Sequence, residues 1–202
     1  VAFGSTPFIN KSTLVKSQGG ERIAIIGDNG TGKSTLVKLI VGETEPDSGS
    51  VRLGPAVRMA YLPQIVKFRD PYLSAADTVI DECGCTMQDA RDSLGAFGFT
   101  GEDALKAVGT LSGGEQSRLR LCILMRSDVN LLILDEPTNH LDIPSREWME
   151  DALSGYGEAL LFVSHDRYFI EKFATRIWCF EDGKRKRHLR HRGGGPQEVR
   201  GD

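Results

Sequence analysis

Short apolar runs alternate with segments of helical periodicity along most of this chain. Three runs, Ile23–Ile26, Leu131–Leu134 and Leu160–Val163, are continuously apolar and have the length of strands that are buried on both faces. Leu111–Arg126 has the amphipathic spacing of a strong helix, and Pro144 starts another helix. Strands that alternate with helices in this way predict an α/β fold with a mainly parallel sheet and right-handed crossovers.

Weaker patterns predict the remaining elements. The first 20 residues have a short, broken β pattern, and two strand candidates follow the turn cluster at 42–49. Residues 75–108 are helical in pieces separated by glycine-bearing breaks, which predicts a small helical lobe at about residues 70–126. The other predicted elements are strands at 50–53, 57–62 and 176–181 and helices at 34–41, 75–82, 87–97, 102–107 and 166–173.

The end of the chain differs from the rest in charge. After Gly183 there are seven Lys/Arg against Glu198 and Asp202, so the formal net charge of −3 divides into +5 in this tail and −8 in residues 1–182. An acidic body is a poor general binder of nucleic acid. The tail, residues 183–202, has no apolar period and is predicted to be disordered; contact with phosphate or an acidic surface is the less favoured interpretation. The folded domain is expected to span residues 1–182.

Composition bounds the class of protein. With 202 residues, 40% hydrophobic and 26% charged, the chain matches an ordinary globular domain that can bury a core. No apolar run approaches the roughly 20 residues of a membrane span, and no signal pattern starts the chain, which predicts no membrane insertion. Four cysteines do not make a disulfide framework and indicate the cytoplasm. Cys83-Gly-Cys85 is interpreted as two free thiols rather than half of a metal site.

A glycine-rich segment lies between the first long apolar run and a helix. It matches the spacing G-x-x-x-x-G-K-[ST], in which backbone N–H groups surround phosphate, a lysine reaches the β- and γ-phosphates and a hydroxyl binds Mg²⁺. The helix N-terminus that follows carries a partial positive charge that favours an anion. A strand-to-helix turn that binds nothing is the alternative. The candidate phosphate-binding residues are Gly27, Asp28, Asn29, Gly30, Thr31, Gly32, Lys33, Ser34 and Thr35.

Acidic and polar residues follow other predicted strands. Asp135 and Glu136 close a buried strand, where Asp135 can hold Mg²⁺ and Glu136 can polarise the attacking water. Gln64 ends a predicted strand and can complete the metal shell, and His165 follows another strand and can contact the γ-phosphate. The alternatives are solvated strand-end charges, a surface amide and a helix-entry histidine. Because ligands gather at the carboxyl ends of strands in α/β sheets, we expect Asp135 and His165 to converge with Lys33 at one edge.

Ser112-Gly113-Gly114-Glu115 begins the long helix near the middle of the chain. Ser-x-x-Glu before an amphipathic helix is a capping box, which accounts for the motif structurally. Two consecutive glycines also expose backbone N–H groups at a helix N-terminus, which is a potential anion site. A second phosphate site on one ATPase domain suggests head-to-tail pairing with another domain.

Taken together and in order, these motifs resemble those of an ATP-binding cassette (ABC) domain of the P-loop NTPase class. The resemblance covers residues 1–182 and implies a mainly parallel core sheet, a small antiparallel β region and a small helical lobe. The matching motifs are Walker A (27–35), the Q-loop (Gln64), the signature (Leu111–Gln116), Walker B (Leu131–Glu136), the D-loop (Leu141-Asp142) and the H-switch (His165).

Variants within the motifs are similar to the ABC-F branch, soluble twin-cassette ATPases associated with ribosomes and translation. The segments that carry this similarity are Leu111–Leu119, Asp135–Asp142 and Ser164–Phe169. Gln64 and Leu111 are 47 positions apart, which leaves no room for an extra arm. With Ser145–Trp148, this spacing makes the chain similar to the second cassette of such a protein, and we expect it to be a fragment.

The resemblance implies ATP and Mg²⁺ as cofactors and a role for each matching residue. The implied magnesium ligands are Ser34, Gln64 and Asp135. The implied catalytic residues are Lys33, Glu136 and His165. Beyond the 27–35 loop, the implied nucleotide contacts are Phe3 on the adenine, Gln64 and, in the site of an opposing cassette, Ser112, Gly113 and Gly114.

The implied function is a Mg-dependent ATPase that acts on the ribosome in translation or antibiotic resistance. A single cassette cannot assemble a closed site except by head-to-tail pairing with a second cassette, so we expect weak ATPase activity from this chain alone. The alternative is the nucleotide-binding subunit of an ABC membrane transporter, against which the Asn139-His140 variant argues. A non-catalytic nucleotide-binding scaffold is a third possibility.

Overall fold

The computed structural model describes residues 20–139 and 141–180 in full. For the strand residues 2–3, 6–7, 181, 184–189 and 197–198 it describes the backbone alone. The chain divides into two compact units. The first unit consists of residues 1–61, 130–136 and 157–202, and the second of residues 62–129 and 137–156.

Strands and helices follow one another along the chain. The strands are β1 (Ala2–Phe3), β2 (Thr6–Pro7), β3 (Arg22–Gly27), β4 (Met59–Leu62), β5 (Leu131–Asp135), β6 (Ala159–Val163), β7 (Arg176–Glu181), β8 (Lys184–Leu189) and β9 (Gln197–Glu198). The helices are α1 (Lys33–Val41), α2 (Ala75–Cys83), α3 (Met87–Ala96), α4 (Gly113–Arg126), α5 (Ile143–Gly155) and α6 (Arg167–Phe173). Short 3₁₀ helices cover Gly101–Leu105 and Val108–Thr110.

A sheet in the order β4-β5-β6-β3-β7-β8-β9 organises the first unit. β3 pairs in parallel with both β6 and β7, and β5 pairs in parallel with β6. The predicted α/β fold with a mainly parallel core is therefore confirmed. β1 pairs antiparallel with β2, and antiparallel pairing also joins β7 to β8 and β8 to β9.

The central strands are continuously apolar because they are covered on both faces. Ile25, Ile133 and Phe162 are fully buried, and every residue of β6 is buried. One face carries a cluster in which Val37 of α1 packs against these strands together with Trp178. Parallel strands enclosed in this way leave no position for polar side chains until the strand ends.

Two sequence-based predictions in the first unit are wrong. Ser50–Leu53 is not a strand, and the second candidate begins at Met59 rather than at residue 57. Val51 and Leu53 are 43% and 44% exposed, so their apolar character does not mark a buried edge. Gly54 and Pro55 between the two candidates explain the difference, because proline has no N–H for a strand ladder.

Within the tail predicted to be disordered, residues 183–202, the structure describes the backbone of two strands, β8 and β9. The backbone of Lys184–Leu189 forms β8, which pairs antiparallel with β7 from Glu181↔Lys184 to Arg176↔Leu189. This segment has no apolar period, but backbone hydrogen bonds can hold a strand without one.

Helices dominate the second unit, and side chains cap their N-termini. Ser74 caps α2, Asp142 caps α5, and Thr86 caps α3 in a reciprocal capping box with Asp89. The helices enclose a core that includes Val79, Leu94, Phe99, Leu119 and Cys122. The predicted helix at 102–107 is instead a 3₁₀ turn that ends at Leu105.

Candidate functional site

Strand register brings several predicted residues to one edge of the first unit. Asp135 of β5 lies level with Val163 of β6, and Ile25 of β3 lies level with the same valine. Because the three strands are parallel, their carboxyl ends meet at one edge. The loop that begins at Gly27 and the segment that contains His165 both leave the sheet there. We call Gly27–Thr35, Asp135, Glu136 and His165 the phosphate-loop site.

Glycine is required at the start of the loop by a close backbone approach. Gly27 has φ 151°, and a Cβ built on it would lie 2.5 Å from the backbone oxygen of Phe180 in β7. Any side chain would therefore collide with the neighbouring strand or displace it. Gly32 has φ 91° and forms the left-handed N-cap of α1, which turns the loop into the helix.

Lys33 is the first residue of α1, and its ammonium group points into the loop. Nζ donates hydrogen bonds to the backbone oxygens of Gly27 at 2.6 Å and Asp28 at 2.8 Å. Only 7% of the residue is exposed. Burial lowers the pKa of Lys33, and the carboxylates of Glu136, Asp28 and Asp135 oppose that decrease. The loop thus surrounds a charged group that a phosphate oxygen can contact in place of these carbonyls.

Asp135 is a buried carboxyl group with an unsatisfied oxygen. The residue is 4% exposed, and among the described residues no group hydrogen-bonds to its Oδ1. Burial raises the pKa of Asp135, while a hydrogen bond from Ser34 and the charges of Lys38 and Lys33 oppose that increase. A carboxylate oxygen without a donor beside a serine hydroxyl is the kind of oxygen ligand pair that Mg²⁺ takes. The residues present therefore fit a divalent cation.

The sequence did not indicate three further residues that interact electrostatically with Asp135. Tyr61 lies at the end of β4, and burial first, then the charges of Asp135 and Glu43, raise its pKa to about 12. Lys38 and Glu43 act on the Asp135 carboxyl with opposite sign. Lys38 lies on α1 and Glu43 follows the end of that helix. Nothing in the sequence pattern relates these two residues to β5, which begins about 90 positions later.

Glu136 adopts a backbone conformation that is unusual for a non-glycine residue. Its φ is 50°, and its N–H donates to the backbone oxygen of Val163 at 2.9 Å. The side-chain oxygen Oε1 of Glu136 lies 3.4 Å from Nε2 of His165. The Glu136 side chain is 15% exposed and that of His165 is 50% exposed. A left-handed residue before a proline is strained, and such strain occurs at functional sites.

The signature segment, Ser112–Gln116, lies in the second unit and contains the predicted capping box. Ser112 Oγ accepts from the N–H of Glu115 at 3.2 Å, and Glu115 Oε2 accepts from the N–H of Ser112 at 2.7 Å. Gln116 donates through Nε2 to the backbone oxygens of Val108 and Leu111 at 3.2 Å. Ser112 and Gly113 are nevertheless exposed, so the cap holds the start of α4 with these two residues open to solvent.

Gly114 is held against α5 by a contact that the sequence did not indicate. A Cβ built on Gly114 would lie 2.7 Å from Oγ and 3.1 Å from Cβ of Ser145. Ser145 is 6% exposed and donates its N–H to Asp142 Oδ1 at 2.9 Å. Hydrogen bonds from Ser145 lower the pKa of Asp142. The start of α4 therefore contacts the start of α5 through two small residues, Gly114 and Ser145.

We expect Gly114→Ala to destabilise the chain by about 1–3 kcal/mol, because its methyl group would overlap Ser145. Combining it with Ser145→Gly should recover about 1 kcal/mol relative to the sum of the two single changes. The free energy of unfolding from urea titrations measures this coupling. Gly113→Ala is the control, since a Cβ there meets no atom within 4 Å. Equal losses at both glycines, or strictly additive changes, would contradict the contact.

Other predicted site residues belong to the second unit or lie outside the described residues. Gln64 is exposed and belongs to the second unit, as do Ser112, Gly113 and Gly114. The side chain of Phe3 and the whole of His140 lie outside the described residues.

Cys83, Cys85 and Cys122 are free thiols, and Cys122 is buried in the core of the second unit. Among the described residues, no group of three or more His, Cys, Asp or Glu side chains has an arrangement suited to a metal ion. None of the described helices combines the length and the apolar character that a membrane crossing requires.

Sequence comparison relates the chain to known proteins. Residues 11–139 match the family model described as ABC transporter. The chain is 47% identical over 163 residues to YdiF of Bacillus subtilis, an alignment that covers 78% of this chain and 25% of YdiF. It is 40% identical over 164 residues to the energy-dependent translational throttle protein EttA of Mycobacterium tuberculosis, covering 79% of this chain and 29% of EttA. The chain thus matches a minor part of the length of these relatives.

Comparison with solved structures supports the fold. An ABC transporter of the metal-chelate type, solved in an inward-facing conformation, matches with a TM-score of 0.69. The match covers 86% of this chain and 73% of the transporter chain at 22% sequence identity.

Proposed function

Because this chain belongs to the ABC transporter family, we propose that its phosphate-loop site binds ATP with Mg²⁺ and hydrolyses ATP to ADP and phosphate. The observation that carries the proposal is the arrangement around Lys33. A buried ammonium, a buried carboxyl with an unsatisfied oxygen and the Glu136–His165 pair all meet at the end of a parallel sheet. Phosphoryl transfer depends on such positioning and charge more than on covalent chemistry.

The triphosphate would bind in the loop Gly27–Thr35. Its β- and γ-phosphates would replace the carbonyls of Gly27 and Asp28 as partners of Lys33, and the N-terminus of α1 would add its partial positive charge. Phe3 would stack on the adenine, as the resemblance implies.

Ser34 and Asp135 would hold Mg²⁺, with Gln64 completing the shell. When bound, Mg²⁺ supplies positive charge that neutralises the phosphate oxygens. Asp135 must be ionised for this role, and burial makes ionisation costly when no cation is present. Asp135 is therefore better suited to bind a cation than to remain ionised with no cation beside it.

Glu136 would accept a proton from, and orient, the water that attacks the γ-phosphate. Glu136 pairs with His165, whereas Asp135 has a hydrogen bond from Ser34, so one carboxylate can serve the water and the other the metal. His165 lies 3.4 Å from Glu136 Oε1 and would restrict the position of that carboxylate while contacting the γ-phosphate.

Ser112, Gly113 and Gly114 would contact nucleotide bound to a second cassette paired head to tail with this one. The capping box orients the start of α4, where Ser112 and Gly113 are exposed, and the N-terminus of a helix favours an anion. The chain alone, without a second cassette, would therefore hydrolyse ATP weakly.

ATP binding is tested directly by equilibrium dialysis with labelled ATP and Mg²⁺. We expect Lys33→Ala to weaken binding at least about tenfold, because charge-assisted contacts to phosphate contribute about 1.5–3 kcal/mol. Lys106→Ala is the matched control, since its exposed pair with Asp103 adds little. ATP affinity that is unchanged in Lys33→Ala would remove the loop from the proposed site.

We further propose that the complete protein is cytoplasmic and acts with the ribosome in translation. The support is the 40% identity to EttA, whose name describes a translational throttle. The transporter alternative rests on a structural likeness at 22% identity, which concerns the fold alone.

Co-sedimentation of the full-length protein with ribosomes tests the translation role. The Glu136→Gln variant, which should retain ATP, is expected to pellet with ribosomes when ATP is present and to remain in the supernatant without it. Equal pelleting under both conditions, or none under either, would count against a ribosomal role and leave ATP binding unaffected.

A further inference from the structure

Arg120 of α4 connects the segment that follows Gln64 to two helices of the second unit. Its Nη1 pairs with the carboxylate of Glu82 in the last turn of α2. Its Nη2 donates to the backbone oxygen of Lys67 at 3.2 Å, and its Cζ lies 4.6 Å from the ring centroid of Phe68. The side chain is only 16% exposed, so these contacts are partly shielded from solvent.

The segment Pro63–Phe68 needs such an anchor because it has no regular secondary structure. Gln64 and Ile65 are exposed, whereas Val66 is buried and Phe68 packs partly against the core of the unit. With no strand ladder or helix to order it, the segment depends on side-chain contacts such as those of Arg120. The exposed residue Gln64 is thus three positions before Lys67, whose backbone oxygen accepts a hydrogen bond from Arg120 of α4.

Arginine is the side chain that can make all three contacts at once. Its planar fork presents separate N–H groups to Glu82 and to the Lys67 carbonyl, and its flat cation lies within cation–π distance of Phe68. A lysine has a single ammonium group and cannot present the same fork.

We propose that Arg120 is a positioning residue that fixes the Gln64 segment to α4, the helix that begins with the signature segment. Through this link Gln64 keeps one position relative to Ser112–Gly114. The contribution of Gln64 to Mg²⁺ affinity therefore depends on Arg120. The inference rests on the proposed function of the phosphate-loop site, because the role of Gln64 does. The physical anchor itself can be measured without nucleotide.

Hydrogen–deuterium exchange of the nucleotide-free chain tests the anchor. Arg120→Ala should speed exchange of the backbone amides of residues 64–69 by about tenfold, because it removes a hydrogen bond, an ion pair and a ring contact. Arg126→Ala is the matched control: Arg126 lies on the same helix but bonds to Ser93 and to the backbone oxygen of Asp89 on α3. It should change exchange at residues 64–69 by less than about twofold. No difference between the two variants would overturn the proposal.

The Mg²⁺ dependence of ATP hydrolysis tests the positioning role. Arg120→Ala should raise the Mg²⁺ concentration for half-maximal rate by about tenfold and leave kcat at saturating Mg²⁺ near that of the unchanged chain, since residues that orient metal ligands act mainly on metal affinity. Arg120→Lys should recover only part of this affinity. A loss of kcat with unchanged Mg²⁺ dependence would show a structural role alone and overturn the proposal.

Phe68→Leu gives the same test if Arg120→Ala does not fold. It removes the ring contact with Arg120 but keeps an apolar side chain at the core, and it should raise the Mg²⁺ requirement by about threefold. Failure of the unchanged chain to bind Mg²⁺-ATP would overturn the proposed function and with it the role of Arg120. Normal binding with no effect of either variant would overturn the role of Arg120 alone.

Discussion

Glu136→Gln is expected to lower ATP turnover by about 10²–10⁴-fold, because the amide cannot accept a proton from the attacking water. ATP binding should remain, since Lys33 and the loop Gly27–Thr35 are unchanged. Glutamine keeps the size of the side chain and can still contact His165, so the loss would reflect chemistry rather than packing. Single-turnover rates and equilibrium dialysis on the same preparations separate the two effects.

Glu147→Gln is the control for this substitution, because Glu147 is exposed on α5 and belongs to the second unit. It should leave turnover within about twofold of the unchanged chain. If Glu136→Gln hydrolyses ATP at the same rate as the unchanged chain, Glu136 has no part in the mechanism and another group must activate the water.

Asp135→Asn is expected to have opposite effects on activity and on stability. Turnover should fall by about 10² or more, because an amide cannot replace the charged ligand of Mg²⁺. Without nucleotide, the variant should be more stable than the unchanged chain by roughly 1 kcal/mol, which corresponds to a rise in Tm of about 2–4 °C. The gain arises because burial without a full set of donors disfavours the ionised carboxyl.

The pH dependence of that gain has a defined sign. Burial raises the pKa of Asp135 in the folded chain, so the ionised group opposes folding at neutral pH. As pH falls through the folded pKa and then the unfolded value near 3.8, the group becomes protonated in both states and its penalty disappears. The stability difference between Asp135→Asn and the unchanged chain should therefore be largest at pH 7, shrink as the pH falls and vanish well below the unfolded pKa of 3.8.

Thermal unfolding at several pH values measures this difference, with Asp151→Asn as the control for an exposed carboxylate on α5. Adding ATP with Mg²⁺ should reverse the order, because ligand binding stabilises only the chain that can hold the ion. A nucleotide-free Asp135→Asn variant that is less stable than the unchanged chain at pH 7 would show that the carboxyl is needed for folding rather than for the metal.

Much of the fold could be predicted because local patterns and final structure agree. The predicted strand 176–181 has its predicted bounds, and the apolar runs at 131 and 160 became the buried strands β5 and β6. The variants near Leu111 and Ser164 predicted a resemblance to the ABC-F branch, which is confirmed by YdiF and EttA among the relatives. The strand prediction failed at 50–53, where Val51 and Leu53 are exposed and bury no strand face. The sequence pattern also did not indicate β8, which backbone pairing with β7 holds.

The sequence by itself determined which residues could form strands, caps and a phosphate loop, because these depend on neighbours a few positions apart. The capping box of Ser112 and Glu115 and the glycines of the loop needed no knowledge of the rest of the chain. Only the tertiary structure decided that Gly114 packs on Ser145 and that Arg120 holds the Lys67 carbonyl. The physical reason is that burial, close approach and electrostatic interaction depend on distance in space, and chain folding brings together groups that are 30 to more than 100 positions apart in sequence, among them Lys33 and Asp135.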